Sequence, residues 1–292
     1  MTFVSDSFDT LPQMPSWITS GRAETLEDVA FLSGAALNHL HLVLKRQDVP
    51  QTLLRERLAL CASEACVAHS GRSERAADLR DAIGFLLPGD SPGPAGEIYS
   101  AWRRAIGRVI SVKSLHLALP DVEAAQLVEW LDVGRRGTVA RATSVLSTVS
   151  HERPRDFATA LILAEASLAQ TLGWSYMVPL LSLGLHRNDL RKTGEDLQFA
   201  AHRAIAKAAT EATREAAVLE RRAVGLKDVA PKLRAKGADR AVDLFLSQDA
   251  VAPSALTSLR SDRAARRFCD RLVELGAVRE LTGRDTFRLY GV

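Results

Sequence analysis

Strand-like alternation of apolar and polar residues is absent from this chain of 292 residues until Val278. Before that point apolar positions recur three and four apart, the spacing that lines one face of an α-helix. Val29, Leu32, Ala36, Leu40 and Val43 make one such stripe, and Leu54, Leu58, Cys61 and Ala65 make the next. Alanine and leucine dominate and aromatics are only 5% of the residues, which favours helix further. The chain is therefore expected to be all-α: a multi-helix body followed by a C-terminal winged helix-turn-helix with a small β-hairpin wing.

Punctuation residues divide the chain. Residues 1–20 hold Pro12 and Pro15 without periodicity and read as an irregular tail. A helix is expected from Thr25, where "TLED" offers a capping-box pair. Pro50 suits the start of a second helix, ending at Gly71, and a third spans Glu74 to Leu87. The loop "LPGDSPGPAG" then leads to a helix opened by Pro94. Further helices fit 121–133, 138–150, 155–173 and 176–186. The longest pattern, Glu195 to Val224, spans about 45 Å, with a stripe of small residues at Ala201, Ala204, Ala208, Ala212 and Ala216. The connector "KDVAPKLRAKGADR" contains Pro231 and Gly237, so the expected units are a tail over 1–20, a helical domain over 21–230 and a winged helix over 231–292.

The last unit carries the partner reading. A helix over 239–248 and a short one in "APSALTSL" precede a third that Ser261 or Asp262 caps. Its inner positions are Ala264, Ala265, Phe268, Leu272 and Leu275, and Gly276 stands where a left-handed C-terminal residue is wanted. A hairpin from Val278 to Tyr290 follows, with Leu281 and Phe287 expected to face the helices and "TGRD" placing Arg284 at the tip. From Val251 to Val292 there are eight arginines and five carboxylates, an excess equal to the net charge of +3 on the whole chain. Helices followed by a wing present a helix to the DNA major groove, so double-stranded DNA is the expected partner. Arg263, Arg266, Arg267 and Arg271 would meet the groove, with Arg284 and Arg288 on the phosphate backbone or in the minor groove. A face interleaved with Asp262, Asp270 and Glu274 also suits, as the alternative, a solvated surface, a protein-docking module or a homodimer.

No reaction chemistry is legible. His39 and His41 lie about 200° apart around a helix and cannot share a metal, and His69 and His116 have no partner at ligand spacing. Glu195, Asp196 and His202 share a helix but lack further ligands. "PGDSPGPAG" lacks the lysine and hydroxyl of a phosphate loop and follows a helix. Cys61, Cys66 and Cys269 read as buried free thiols. No catalytic motif, metal site or cofactor site is expected, and an enzyme of unrecognised type ranks third behind DNA binding and protein docking. The N-terminus lacks a signal-peptide pattern, and "FATALILAEASLAQTLGW" is too short and polar to span a bilayer, so a cytoplasmic location is expected.

The blocks "LRDAIGFLLPGDSPGPAGEIYSAWRR" and "PLLSLGLHRNDLR", with the stretch from "APKLRAKGADR" to the final "FRLYGV", resemble the domain-of-unknown-function family fourteen-oh-three. The resemblance runs from about Leu26 onward and implies a bacterial origin, largely alphaproteobacterial and often plasmid-borne. It implies no activity or catalytic residue. The expectation of a DNA-binding regulator or maintenance factor of a mobile element rests on the helix-plus-wing order and the arginine count. "LGAVRELTGRDTFRLYG" is also similar to the winged-helix tail of some Fic-type proteins, whose "HPFxxGNGR" motif is absent here.

Overall fold

The computed structural model describes residues 11–20, 23–87, 89–134, 137–233 and 235–292; the expected tail over 1–10 lies outside them. Eleven helices come before residue 230 among the described residues: α1 (Ser16–Ser20), α2 (Leu26–Leu44), α3 (Gln51–His69), α4 (Ala76–Gly84), α5 (Gly93–Ile106), α6 (Val112–Ala118), α7 (Ala124–Leu131), α8 (Thr138–Glu152), α9 (Phe157–Thr171), α10 (Leu181–Gly184) and α11 (Gly194–Val229). The capping box at Thr25 forms: its hydroxyl accepts from the Asp28 amide at 3.1 Å and the Asp28 carboxylate accepts from the Thr25 amide at 3.0 Å. Within 11–20, where the residues read as irregular, α1 forms one helical turn and Leu11 and Ile18 are buried. Helix α6 has no counterpart in the apolar pattern. The stretch 176–186 is helical only over Leu181–Gly184: Pro179 lacks an amide hydrogen, and the unbroken apolar run from Met177 to Leu181 leaves no periodicity to read.

Helix α11, at 36 residues about 54 Å long, is the spine. It packs along α2 and touches α8, α3 and α10. Ala201, Ala204, Ala208, Ala212 and Ala216 are all buried on it, which lets neighbours approach closely. Gly184 shows how closely: a Cβ there would lie 2.5 Å from the Ala204 backbone. Gly184→Val is expected to destabilise the fold by about 1–3 kcal/mol through overpacking, seen as a lower denaturation midpoint at unchanged slope.

The C-terminal elements are α12 (Ala238–Phe245), a 3₁₀ turn (Pro253–Ala255), α13 (Asp262–Glu274), β1 (Arg279–Glu280) and β2 (Tyr290–Gly291). Gly237 opens the unit at φ +92°, and a Cβ there would strike the Ser258 carbonyl at 2.3 Å. The expected helix in "APSALTSL" is only the 3₁₀ turn, since eight residues holding Pro253 and three hydroxyl side chains do not sustain α-helical bonds. Ser261 caps α13, accepting from the Ala264 amide at 3.3 Å, and Gly276 follows at φ +69°. Antiparallel pairing joins Arg279 to Gly291 and Glu280 to Tyr290, while Val251 bridges Tyr290 from the other side.

This unit is tied to the body by charge and by a continuous apolar core. Asp249, 1% exposed, accepts two bonds from Arg80 of α4, at 2.6 and 3.2 Å. The Nε of Arg57, on α3, faces the same carboxylate as an ion pair rather than a well-aligned hydrogen bond. Arg57 also reaches Glu215 at 3.4 Å, and it donates to the Val292 carbonyl at 3.2 Å beside Arg222 at 3.0 Å. Burial alone would lower the Arg80 guanidinium, but the bond and charge of Asp249 outweigh it and hold it above its ordinary value.

Candidate nucleic-acid interface

Helix α13 buries Ala265, Phe268, Cys269 and Leu272 and turns its arginines outward. Arg263, Arg266 and Arg267 are exposed and make no ion pair among the described residues. Arg263 and Arg267 are one helical turn apart, while Arg266 faces the hairpin loop across a groove of about 450 Å3. The remaining three candidates are engaged within the chain. Arg271 pairs with Glu274 at 2.9 Å. Arg288 donates to the Arg284 carbonyl at 2.7 Å and lies 3.5 Å from Asp285 and 3.9 Å from Asp270. Arg284 pairs with Asp81 of α4.

The hairpin loop therefore leans on the body instead of standing free. Phe287 does not face α12 and α13 as its spacing suggested. It takes a left-handed conformation (φ +55°), remains 72% exposed and sets its ring edge-on to Phe85 at 5.7 Å between centroids. Leu289 is buried in its place and approaches Gly84. The loop between β1 and β2 is irregular, so a strict period of two does not carry through it. Glu280 fixes the turn, accepting from the amides of Thr282 and Gly283, each at 2.7 Å.

Asp81, Phe85 and Asp249 carry no local signal in the sequence, because their partners lie more than 150 residues away. Other expected chemistry stays dispersed. His39 bonds the Pro12 carbonyl at 2.9 Å and His116 that of Val122 at 2.8 Å. No group of three His, Cys, Asp or Glu residues is placed to hold a metal among those described. Cys66 and Cys269 are buried, whereas Cys61 is exposed, at a position of α3 that the helical stripe had placed inward. No described helix is long and apolar enough to cross a membrane.

Fold and surface together define an all-α protein whose helical body carries an arginine-faced helix and a small hairpin at its C-terminal end. The chain belongs to the family described as protein of unknown function (DUF1403), whose model matches residues 2–292. A search of curated proteins returns no match.

Proposed function

We propose that the C-terminal unit is a winged helix-turn-helix and that it binds double-stranded DNA. The observation that carries this reading is the trio Arg263, Arg266 and Arg267, exposed on one helix and in no ion pair among the described residues. The order of elements supports it: helix, a strand-like bridge at Val251, a turn, α13, then β1, a loop and β2. In that arrangement α13 is the recognition helix, since guanidinium groups make forked contacts with guanine and pair with phosphates. Arg284 and Arg288, paired in the free protein, would exchange Asp81, Asp270 and Asp285 for phosphate oxygens.

The Arg266→Ala, Arg267→Ala double variant is expected to bind duplex DNA more weakly. The cost is about 1–3 kcal/mol for each arginine that reads a base, and the salt slope falls by about one for each phosphate left without its arginine. Fluorescence anisotropy against salt concentration measures both. No binding to any duplex at low salt would overturn the reading. A second reading, docking of a partner protein, is favoured by exposed Phe287 beside a groove that also holds Asp262, Asp270 and Asp285. In that case a stoichiometric partner co-purifies from the native host and the same double variant releases it.

A further inference from the structure

Sharing no lining residue with the groove beside α13, a cleft of about 680 Å3 opens between α2, α11 and the start of α8, within the range of small-molecule sites. Its walls include Leu26, Leu37, Val139, Leu172 and Trp174, and no Asp, Glu, Lys or Arg lines it among the described residues. Two imidazoles reach it with opposite polarity. Trp174 Nε1 donates to His41 Nδ1 at 2.9 Å, and because an indole N–H only donates, the neutral His41 ring carries its proton on Nε2. His202 Nδ1 lies 2.6 Å from Ser33 Oγ, which is itself 3.1 Å from the Ala30 carbonyl. Both bonds are satisfied together when Nδ1–H donates to Ser33 and Ser33 donates to Ala30, which leaves His202 Nε2 a bare acceptor. Burial holds the His202 pKa below its ordinary value, so the ring is neutral near pH 7.

Two further features suit an occupant. Gly137, the residue before α8, supplies no side-chain cap, and the amides of Thr138, Val139 and Ala140 bond no acceptor among the described residues. Gly34 stands mid-helix in α2 on the cleft lining, in ordinary helical conformation, and a Cβ there would meet nothing within 4 Å. Glycine at such a site costs about 0.5–1 kcal/mol relative to alanine, and neither backbone nor packing requires it.

We infer that this cleft is a binding site for a small, mainly apolar organic molecule that carries a carbonyl or carboxylate acceptor and a hydroxyl or N–H donor. The acceptor meets His41 Nε2–H and the amides of Thr138, Val139 and Ala140; the donor meets His202 Nε2; the apolar part lies against Trp174 and Leu172. This site is independent of DNA binding.

The test follows the Trp174 side-chain N–H signal, assigned with Trp174→Phe, while the full-length protein is titrated with three probes. These are 4-hydroxybenzoate, its neutral counterpart 4-hydroxyacetophenone, and toluene. Saturable shifts with half-saturation near or below about 1 mM are expected for at least one of the two polar probes. Which of them binds separates a carboxylate from a carbonyl ligand. Toluene is expected to bind at least tenfold more weakly. Gly34→Phe should weaken binding at least tenfold, whereas Gly34→Ala, the folding control, should retain it. The inference is overturned by any of three results: no shift with either polar probe at about 10 mM, toluene binding as well as they do, or a folded Gly34→Phe variant binding like the wild type.

Discussion

Asp249→Ala is expected to cost about 3–5 kcal/mol of folding free energy, the usual penalty for breaking a buried ion pair from one side. The carboxylate is 1% exposed, and its partners Arg57 and Arg80 have side chains only 14% and 18% exposed. Removing it leaves two guanidinium groups turned toward one desolvated point between α3, α4 and the C-terminal unit. Arg57 keeps Glu215 and the Val292 carbonyl, so Arg80 suffers more. Because the pair is buried, added salt should rescue little of the loss. Urea denaturation gives the magnitude, and amide exchange over 238–292 shows whether that unit loosens first. A loss below about 1 kcal/mol would mean that the apolar packing of Phe245, Leu289 and Tyr290 holds the unit without it.

The second large effect concerns Glu165 on α9. Its Oε1 accepts from the Leu180 amide at 2.7 Å, the Ser182 amide at 3.0 Å and the Ser182 hydroxyl at 3.1 Å, while Oε2 is buried without a partner. Burial pushes its pKa up to about 7, and the three bonds offset this only in part. The folded protein therefore holds the proton more tightly than the unfolded chain, whose carboxyl titrates near 4.5. Stability from this group is fully present below about pH 4.5, falls as pH rises toward 7, and levels off above it. The total loss is on the order of 3 kcal/mol. Glu165→Gln keeps an acceptor at Oε1 and never ionises. Relative to wild type it should gain stability as pH rises from about 5 to 7 and level off above that, measured by urea denaturation at each pH. Parallel curves for the two proteins would refute this account.

Local signals were legible where one side chain decides the outcome. Thr25 with Asp28, Ser261, Gly276 and the alanine stripe of α11 each act within a turn or two, and each acts as its spacing implies. The paths of 176–186 and 281–289 were not, because an unbroken apolar run around Pro179 hides the helical period in one and an irregular loop erases the strand period in the other. Residue pairs distant in the chain were equally hidden. Nothing near Arg284 indicates Asp81, and nothing near Ser33 indicates His202, 169 residues away. So the arginines could be enumerated from the sequence, but which of them are free depends on which carboxylates the fold brings beside them.

The reach of Asp249 back to Arg57 and Arg80 also has a consequence in time. During synthesis those two arginines emerge long before their counter-ion. At roughly 5–20 residues per second, α3 and α4 wait on the order of ten seconds or more for Asp249. Throughout that interval both guanidinium groups are without the carboxylate that the finished fold sets between them.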